Sequence, residues 1–424
     1  MNTERATLRR RTVISVGFAG LLVLLGVVQL QLVRLAAAQS RNAPQAPVFE
    51  VDPFWPKPLP NNWVLGSAIG VHVDSRDNVW IIHRGSATLD DNEKALEVKT
   101  GDCCAGAPPV LVFDKGGNLI RHWGGPGTGY DWPSSNHGIV VDHEGNVWIG
   151  GNGPGDSHIL KFTQDGKFLA QYGKPEARKV AAGAPQPTVV VPGYAPTTGY
   201  SGGSTDRFNF GRVAKIFVDA KTNEAFIADG YLNRRVAVLD AHSGEMKRMW
   251  GAYGRPPTDA NVGRYDPNAP PPQTFRNPVH CADLSVDNLL YVCDRVNDRI
   301  QVFRPDGTFL KEVFLAKNTK GSGSAWDVAF SKDPDQRFIY VADGMNDRIY
   351  ILQRDSLEVL TSFGTGGRQP GQFYGVHSIA TDSLGNVYTT ETWEGKRLQK
   401  FINKGLAPVT TKDRGTPWPT NARP

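Results

Sequence analysis

The sequence predicts an all-β chain folded as a six-bladed β-propeller. Three observations predict it. Gly 46 and Pro 30 supply 76 of 424 residues, a turn-rich composition that disfavours a helix bundle. Short alternating segments are bounded by Gly, Asp and Asn turns, as strands are. One pattern of such segments recurs six times along the chain.

The repeat is explicit in the first two units. Asp74-Ser-Arg-Asp-Asn-Val-Trp80 precedes Val110–Phe113, and Asp142-His-Glu-Gly-Asn-Val-Trp148 precedes Ile159–Phe162. Phe226, Tyr291, Tyr340 and Tyr388 stand where those tryptophans stand, each followed by one more apolar segment. Six four-stranded units close on themselves and leave no open sheet edge. The last unit offers three strands, so Val48–Asp52 is expected to add its fourth. The expected organisation is a leader over residues 1–38, a flexible lead-in over 39–47, the propeller over 48–404 and a flexible tail over 405–424.

The leader explains the charge. The whole chain carries +5, but Arg5, Arg9, Arg10, Arg11 and Arg34 against Glu4 place +4 of it in residues 1–38. The remainder is near neutral, which gives no footing for nucleic acid. Three arginines before the uncharged stretch Val13–Val33 form an export signal, and Arg10-Arg11 gives it a twin-arginine look. Two outcomes fit: cleavage at Ala36-Ala37-Ala38, or a membrane anchor through residues 13–33. Either puts the propeller in the periplasm or outside the cell.

An oxidising compartment suits disulfides. Cys281 and Cys293 flank a turn at Asp287-Asn288 and are expected to face each other on adjacent strands. The vicinal Cys103-Cys104 pair lies in a loop, and its partners stay open between each other, another site or a metal.

Long insertions collect on one side. His83–Pro109, Lys174–Arg212 and Ala252–Val279 join strands at the same end of their blades, so all three roof one mouth of the channel. At that mouth the nine histidines become informative. His137 and His377 each lie five residues before the Asp of their repeat, and His280 lies five before the matching Ser285. They open the inner strands of blades two, four and six, whereas Ile69, Ala214 and Ala325 or near neighbours, none of them a ligand, stand there in the odd blades. Alternate blades place three imidazoles about 120° apart, from the six-fold ring. Three neutral imidazoles with an open fourth position are a catalytic zinc arrangement. The ends of the second strands add Arg84, Asn152, Tyr231, Arg295, Met345 and Thr392 at the same mouth. Tyr231, beside a metal and an arginine, suits a base; Arg84 suits an oxyanion or carboxylate; Arg295 and Asn152 suit substrate binding.

Asp229/Asn233/Arg235, Asp294/Asn297/Arg299 and Asp343/Asn346/Arg348 resemble the NHL repeat signature, whose Asp and Asn are expected to cap a turn and whose arginine is expected to bond across blades. His83-Arg84-Gly85, Asn136-His137-Gly138, Ala228-Asp229-Gly230-Tyr231, Pro278-Val279-His280, Asp294-Arg295 and Val376-His377 together resemble peptidyl-α-hydroxyglycine α-amidating lyase over roughly Trp55 to Phe401. The resemblance implies a zinc-dependent carbon–nitrogen lyase that releases a peptide amide and glyoxylate. It implies His137, His280 and His377 as ligands, Tyr231 as base, Arg84 as charge stabiliser and Arg295 in the pocket. Ser378 stands where that family has the Asp of a calcium site, which argues against calcium. Leu232, Cys281 and Cys293 also depart from the family's cysteines. The Cys103-Cys104 loop is similar to that of a bacterial subgroup. Two other readings remain: a non-catalytic NHL propeller that binds a protein or peptide on its loop face, and a lactonase-like hydrolase.

Overall fold

The computed structural model describes residues 24–31, 43–177, 188–189, 197–198 and 203–419. Six four-stranded antiparallel sheets form a ring. Their inner strands are Ala68–Val73, Asn136–Val141, Val213–Asp219, Val279–Leu284, Asp327–Phe330 and Val376–Thr381. Blade six is closed from the other end of the chain: Gln45–Asp52 pairs antiparallel with Arg397–Pro408. The blade therefore begins three residues before the expected boundary, at Gln45. Most of the leader lies outside the described residues; residues 24–31 are an exposed helix. No described helix is long and apolar enough to cross a membrane.

The repeat pattern has a local cause. Asp74 accepts the backbone N–H groups of Arg76 and Asn78 and, on its other oxygen, the Trp80 indole N–H at 2.9 Å. Asp142 does the same for Glu144, Asn146 and Trp148, and Asp382 takes the Tyr388 hydroxyl. One carboxylate thus closes the turn between the first two strands and fixes the aromatic ring that packs between blades. Trp80, Trp148, Tyr291, Tyr340 and Tyr388 are fully buried.

Two expectations need correction. The NHL arginines do not bond across blades. Arg235 and Arg299 pair at 2.8 Å with Asp229 and Asp294 of their own blades. They also donate to carbonyls of the loop entering that blade, at Ser204 and Thr274. Arg348 instead reaches the Asn346 carbonyl and Asp413. Second, residues 405–419 are not a flexible tail. The closing strand runs to Pro408, and Ser362, Gly364 and Val51 donate backbone N–H groups to Lys412, Gly415 and Pro417. The segment covers the outer edges of blades five and six, groups that would otherwise be exposed.

Closure by the N-terminal strand carries a stability prediction. Phe49 is 5% exposed and packs edge-on to Tyr340 at 5.3 Å and against Phe363 at 5.1 Å. Phe49→Ala is expected to cost about 3–5 kcal/mol. A urea midpoint that falls with an unchanged slope is the expected reading. A loss below about 1 kcal/mol would mean that this strand does not hold the ring shut.

Candidate metal centre

The three histidines sit at the same backbone irregularity. Strand register slips between Asn136 and Ile139, between Val279 and Cys281, and between Val376 and Ser378. Each slip is a β-bulge that turns the histidine into the channel. Blades one and three bulge likewise, at Ile69 and Ala214, and in blade five the Trp326 N–H bonds the Ala342 carbonyl just before the inner strand begins. Trp326, not Ala325, is therefore blade five's counterpart, and it too lies five residues before its Ser331.

These odd-blade residues orient the histidines. His137 Nδ1 is 2.6 Å from the Ala214 carbonyl, His280 Nδ1 is 2.5 Å from that of Trp326, and His377 Nδ1 is 2.8 Å from that of Ile69. A carbonyl only accepts, so each Nδ1 carries the proton and each Nε2 keeps its lone pair. The ring centroids stand 4.8, 4.8 and 5.1 Å apart, and one ligand atom from each ring lies within 4.8 Å of the others. Burial first, and then the charges of Arg295, Arg84 and the other imidazoles, hold all three well below the ordinary histidine value. Neutral imidazole is the form that binds a metal ion. His377 Nε2 is buried and has no protein partner. Backbone-oriented rings, converging Nε2 atoms and an orphaned acceptor fit a three-histidine metal site.

Tyr231 completes the centre from blade three. Its hydroxyl is 2.8 Å from His137 Nε2 and 3.0 Å from His280 Nε2, and it accepts from Arg295 Nη1 at 3.2 Å. A Cβ on Gly230 would meet the Val279 carbonyl at 2.0 Å. Only glycine lets this turn lie against blade four and put Tyr231 between two histidines. Arg295 is 1% exposed, with its guanidinium 4.4 Å above the Trp326 ring. Half-buried Arg84 bonds Asn152 Oδ1 at 3.0 Å and reaches the Asn136 carbonyl. Asn152 also accepts from Ser135, so it steadies Arg84, while its buried amide nitrogen has no protein partner. Five predicted site residues, His137, His280, His377, Tyr231 and Arg295, thus converge, with Arg84 and Asn152 beside them. Trp326 was not foreseen, although the five-residue spacing that singles out the histidines also selects it.

The second and third roof loops meet, and the first is tied to blade six. Ser204 bonds Asp259 at 2.8 and 2.6 Å, and Glu93 pairs with Lys396 at 2.6 Å. Residues 178–187, 190–196 and 199–202 of the second loop lie outside the described residues. Cys103 and Cys104, in the first roof loop, are disulfide-linked to each other. Cys281 and Cys293 are linked across a directly facing strand pair.

His83 anchors the first roof loop and carries a pH prediction. Its Nδ1 accepts the N–H groups of Gly66 and Gly85, and its Nε2 donates to the Pro108 carbonyl. Burial pulls its pKa down to about 4, with the Pro108 bond opposing. The unfolded chain protonates near 6.5 and the folded chain does not, so the folded state binds fewer protons between about pH 4 and 6.5. This stability is complete above pH 6.5 and is lost as pH falls, by about 2 kcal/mol at pH 5. His83→Asn should flatten the urea midpoint between pH 7 and 5 by that amount relative to wild type. Parallel profiles would remove His83 from the account.

No family model matches the chain. Peptidyl-glycine alpha-amidating monooxygenase B of Xenopus laevis is 26% identical over 347 residues, 80% of this chain and 34% of that protein. Peptidyl-alpha-hydroxyglycine alpha-amidating lyase 1 of Drosophila melanogaster is 24% identical over 374 residues, 83% of this chain and 59% of that protein. The chain is a six-bladed propeller that resembles the α-amidating lyases and the NHL repeat-containing proteins. NHL repeat-containing protein 3 of Mus musculus is 25% identical over 377 residues, 84% of both chains. The propeller spans only 24–34% of the frog monooxygenases it matches.

Proposed function

We propose that the chain is an exported, zinc-dependent lyase of the peptidylamidoglycolate lyase type, acting on an α-hydroxyglycine-like carbinolamide. The observation that carries this reading is the convergence of three Nδ1-anchored imidazoles, two of them on the Tyr231 hydroxyl, with Arg295 on the same oxygen. The reaction needs the hydroxyl proton removed, the C–N bond broken with its pair going to nitrogen, and a proton returned to that nitrogen. Tyr231 takes the hydroxyl proton, and the Arg295 hydrogen bond stabilises the charge that gathers on its oxygen. Arg84, held by Asn152, binds the carboxylate that leaves as glyoxylate. His137, His280 and His377 hold the metal, which when bound supplies Lewis acidity at the substrate oxygen. The buried site limits water around these charges and strengthens each interaction.

The test is elemental analysis of the purified protein followed by incubation with an α-hydroxyglycine peptide. Zinc at unit stoichiometry with glyoxylate release is the expected result; absence of bound metal after metal-replete expression overturns it. A second reading is favoured by the match over 84% of the mouse NHL repeat-containing protein: a binding propeller that holds a peptide under the roof loops. That protein would keep its partner after loss of the histidines.

A further inference from the structure

The three imidazoles rest on a second polar layer in the channel. Lys215 follows Ala214, and Asp327 follows Trp326, the residues whose carbonyls orient His137 and His280. Asp283 lies three residues beyond His280 on the inner strand of blade four. The Lys215 ammonium is 2.5 Å from Asp327 Oδ1 and 3.0 Å from Asp283 Oδ2. Asp327 Oδ2 accepts the N–H of Ile379 at 3.1 Å, two residues past His377. One cation therefore ties the inner strands of blades three, four, five and six directly below the candidate metal centre. Asp327 is 1% exposed, and the side chains of Lys215 and Asp283 are 15% and 14% exposed.

The chemistry of this layer is that of a cation site already filled. Asp283, Asp327 and Cys281 bring potential ligand atoms within 4.8 Å of one another. The Cys281 sulfur is committed to Cys293, and the ammonium stands against both carboxylates. Burial pulls the ammonium down, but the two carboxylates outweigh it and hold Lys215 above its ordinary value. The same burial raises Asp283 to about 6, against the pull of Lys215. A cavity of about 420 Å³ opens on the far mouth of the ring and reaches Lys215 and Asp283, along with His72 and Lys332. Dissolved ions thus have a path to the layer.

We infer that Lys215 is the built-in cation of the channel, occupying the place a divalent ion would take between Asp283 and Asp327 and setting the spacing of the imidazoles above it. Buried ion pairs contribute more to register than to net stability, which suits a spacer between four strands. The inference shares its upper layer with the proposed lyase site, but the position of the cation does not depend on any reaction.

Calcium titration followed by calorimetry tests it, using Ca²⁺ alone as the probe. Wild type should melt at one temperature with millimolar Ca²⁺ or with none added. Lys215→Ala should melt several degrees lower, bind one Ca²⁺ and regain most of the loss; Lys215→Ala/Asp327→Asn should not respond. A Lys215→Ala protein that melts as wild type, or that ignores Ca²⁺, overturns the inference, as does a wild type stabilised by Ca²⁺. If Lys215→Ala does not fold, Asp283→Asn retains a balanced Lys215–Asp327 pair and should bind zinc about tenfold more weakly, as loss of outer support does elsewhere. Unchanged zinc affinity there overturns the spacing role. A wild type without zinc would remove the lyase reading and leave the calcium result to decide this one.

Discussion

Replacing His377 by alanine is expected to remove bound metal and glyoxylate release together while leaving the metal-free fold within about 2 kcal/mol of wild type. The asymmetry among the three ligands makes this position the cleanest. His137 and His280 each contact Tyr231 through Nε2, so their loss disturbs the tyrosine as well. His377 Nε2 has no such partner and is a buried acceptor left unpaired. An unpaired buried acceptor costs about 1–3 kcal/mol, and the Nδ1 bond to the Ile69 carbonyl contributes about 1 kcal/mol, so the polar contributions roughly offset and the cavity left by the ring sets the remaining cost in the metal-free chain. What disappears is the stabilisation by metal, about 4 kcal/mol at a thousandfold excess over Kd. Turnover should fall roughly 10³-fold, the loss of about 4 kcal/mol of transition-state stabilisation. Calorimetry with and without zinc, elemental analysis and glyoxylate assay read the three effects separately. Stoichiometric zinc in His377→Ala, or unchanged turnover, would remove the three-histidine centre from the mechanism.

The ring and its three histidines were legible because both follow a period. The Asp of each repeat closes a turn and holds an aromatic ring, so a fixed count from it reaches the same point on every inner strand. That count yields histidine at positions 137, 280 and 377 and hydrophobic residues between them. The contacts that orient the histidines were not legible. They run from side chain to backbone between neighbouring blades, and a carbonyl at Ala214 or Ile69 has no sequence signature. Trp326 shows the limit from the other side: its spacing was readable, but its carbonyl contact with His280 and its ring under Arg295 need coordinates. The C-terminal segment failed for a related reason. Thr410 to Arg414 is polar and unpatterned, yet it is held through main-chain bonds to Ser362. Lys215 lay hidden because alternation along its strand marks it as channel-facing and nothing in the strand names the two carboxylates that meet it.

Tyr231→Phe should separate chemistry from metal binding. The variant keeps the ring, and the ring is what packs: Tyr231 is 1% exposed, its centroid 4.9 Å from His137 and 5.7 Å from His280. The main chain is fixed by its own bonds, from Tyr231 N–H to the Arg212 carbonyl and from the Gly211 N–H to Asp229. Removing the oxygen therefore leaves three imidazoles anchored at Nδ1 and unobstructed at Nε2, and zinc content should stay at the wild-type level. It also leaves Arg295 Nη1 without the acceptor it had. The substrate carboxylate still meets Arg84, so KM should move little. The proton on the substrate hydroxyl has lost its acceptor, and kcat should fall roughly 10²–10⁴-fold, the usual span for a positioned base. A packing role predicts the opposite split, with weaker zinc and a lower melting temperature at near-normal kcat. If phenylalanine supports wild-type turnover, the base is elsewhere, and the contact between Tyr231 and the two histidines is a packing feature of the metal-free site.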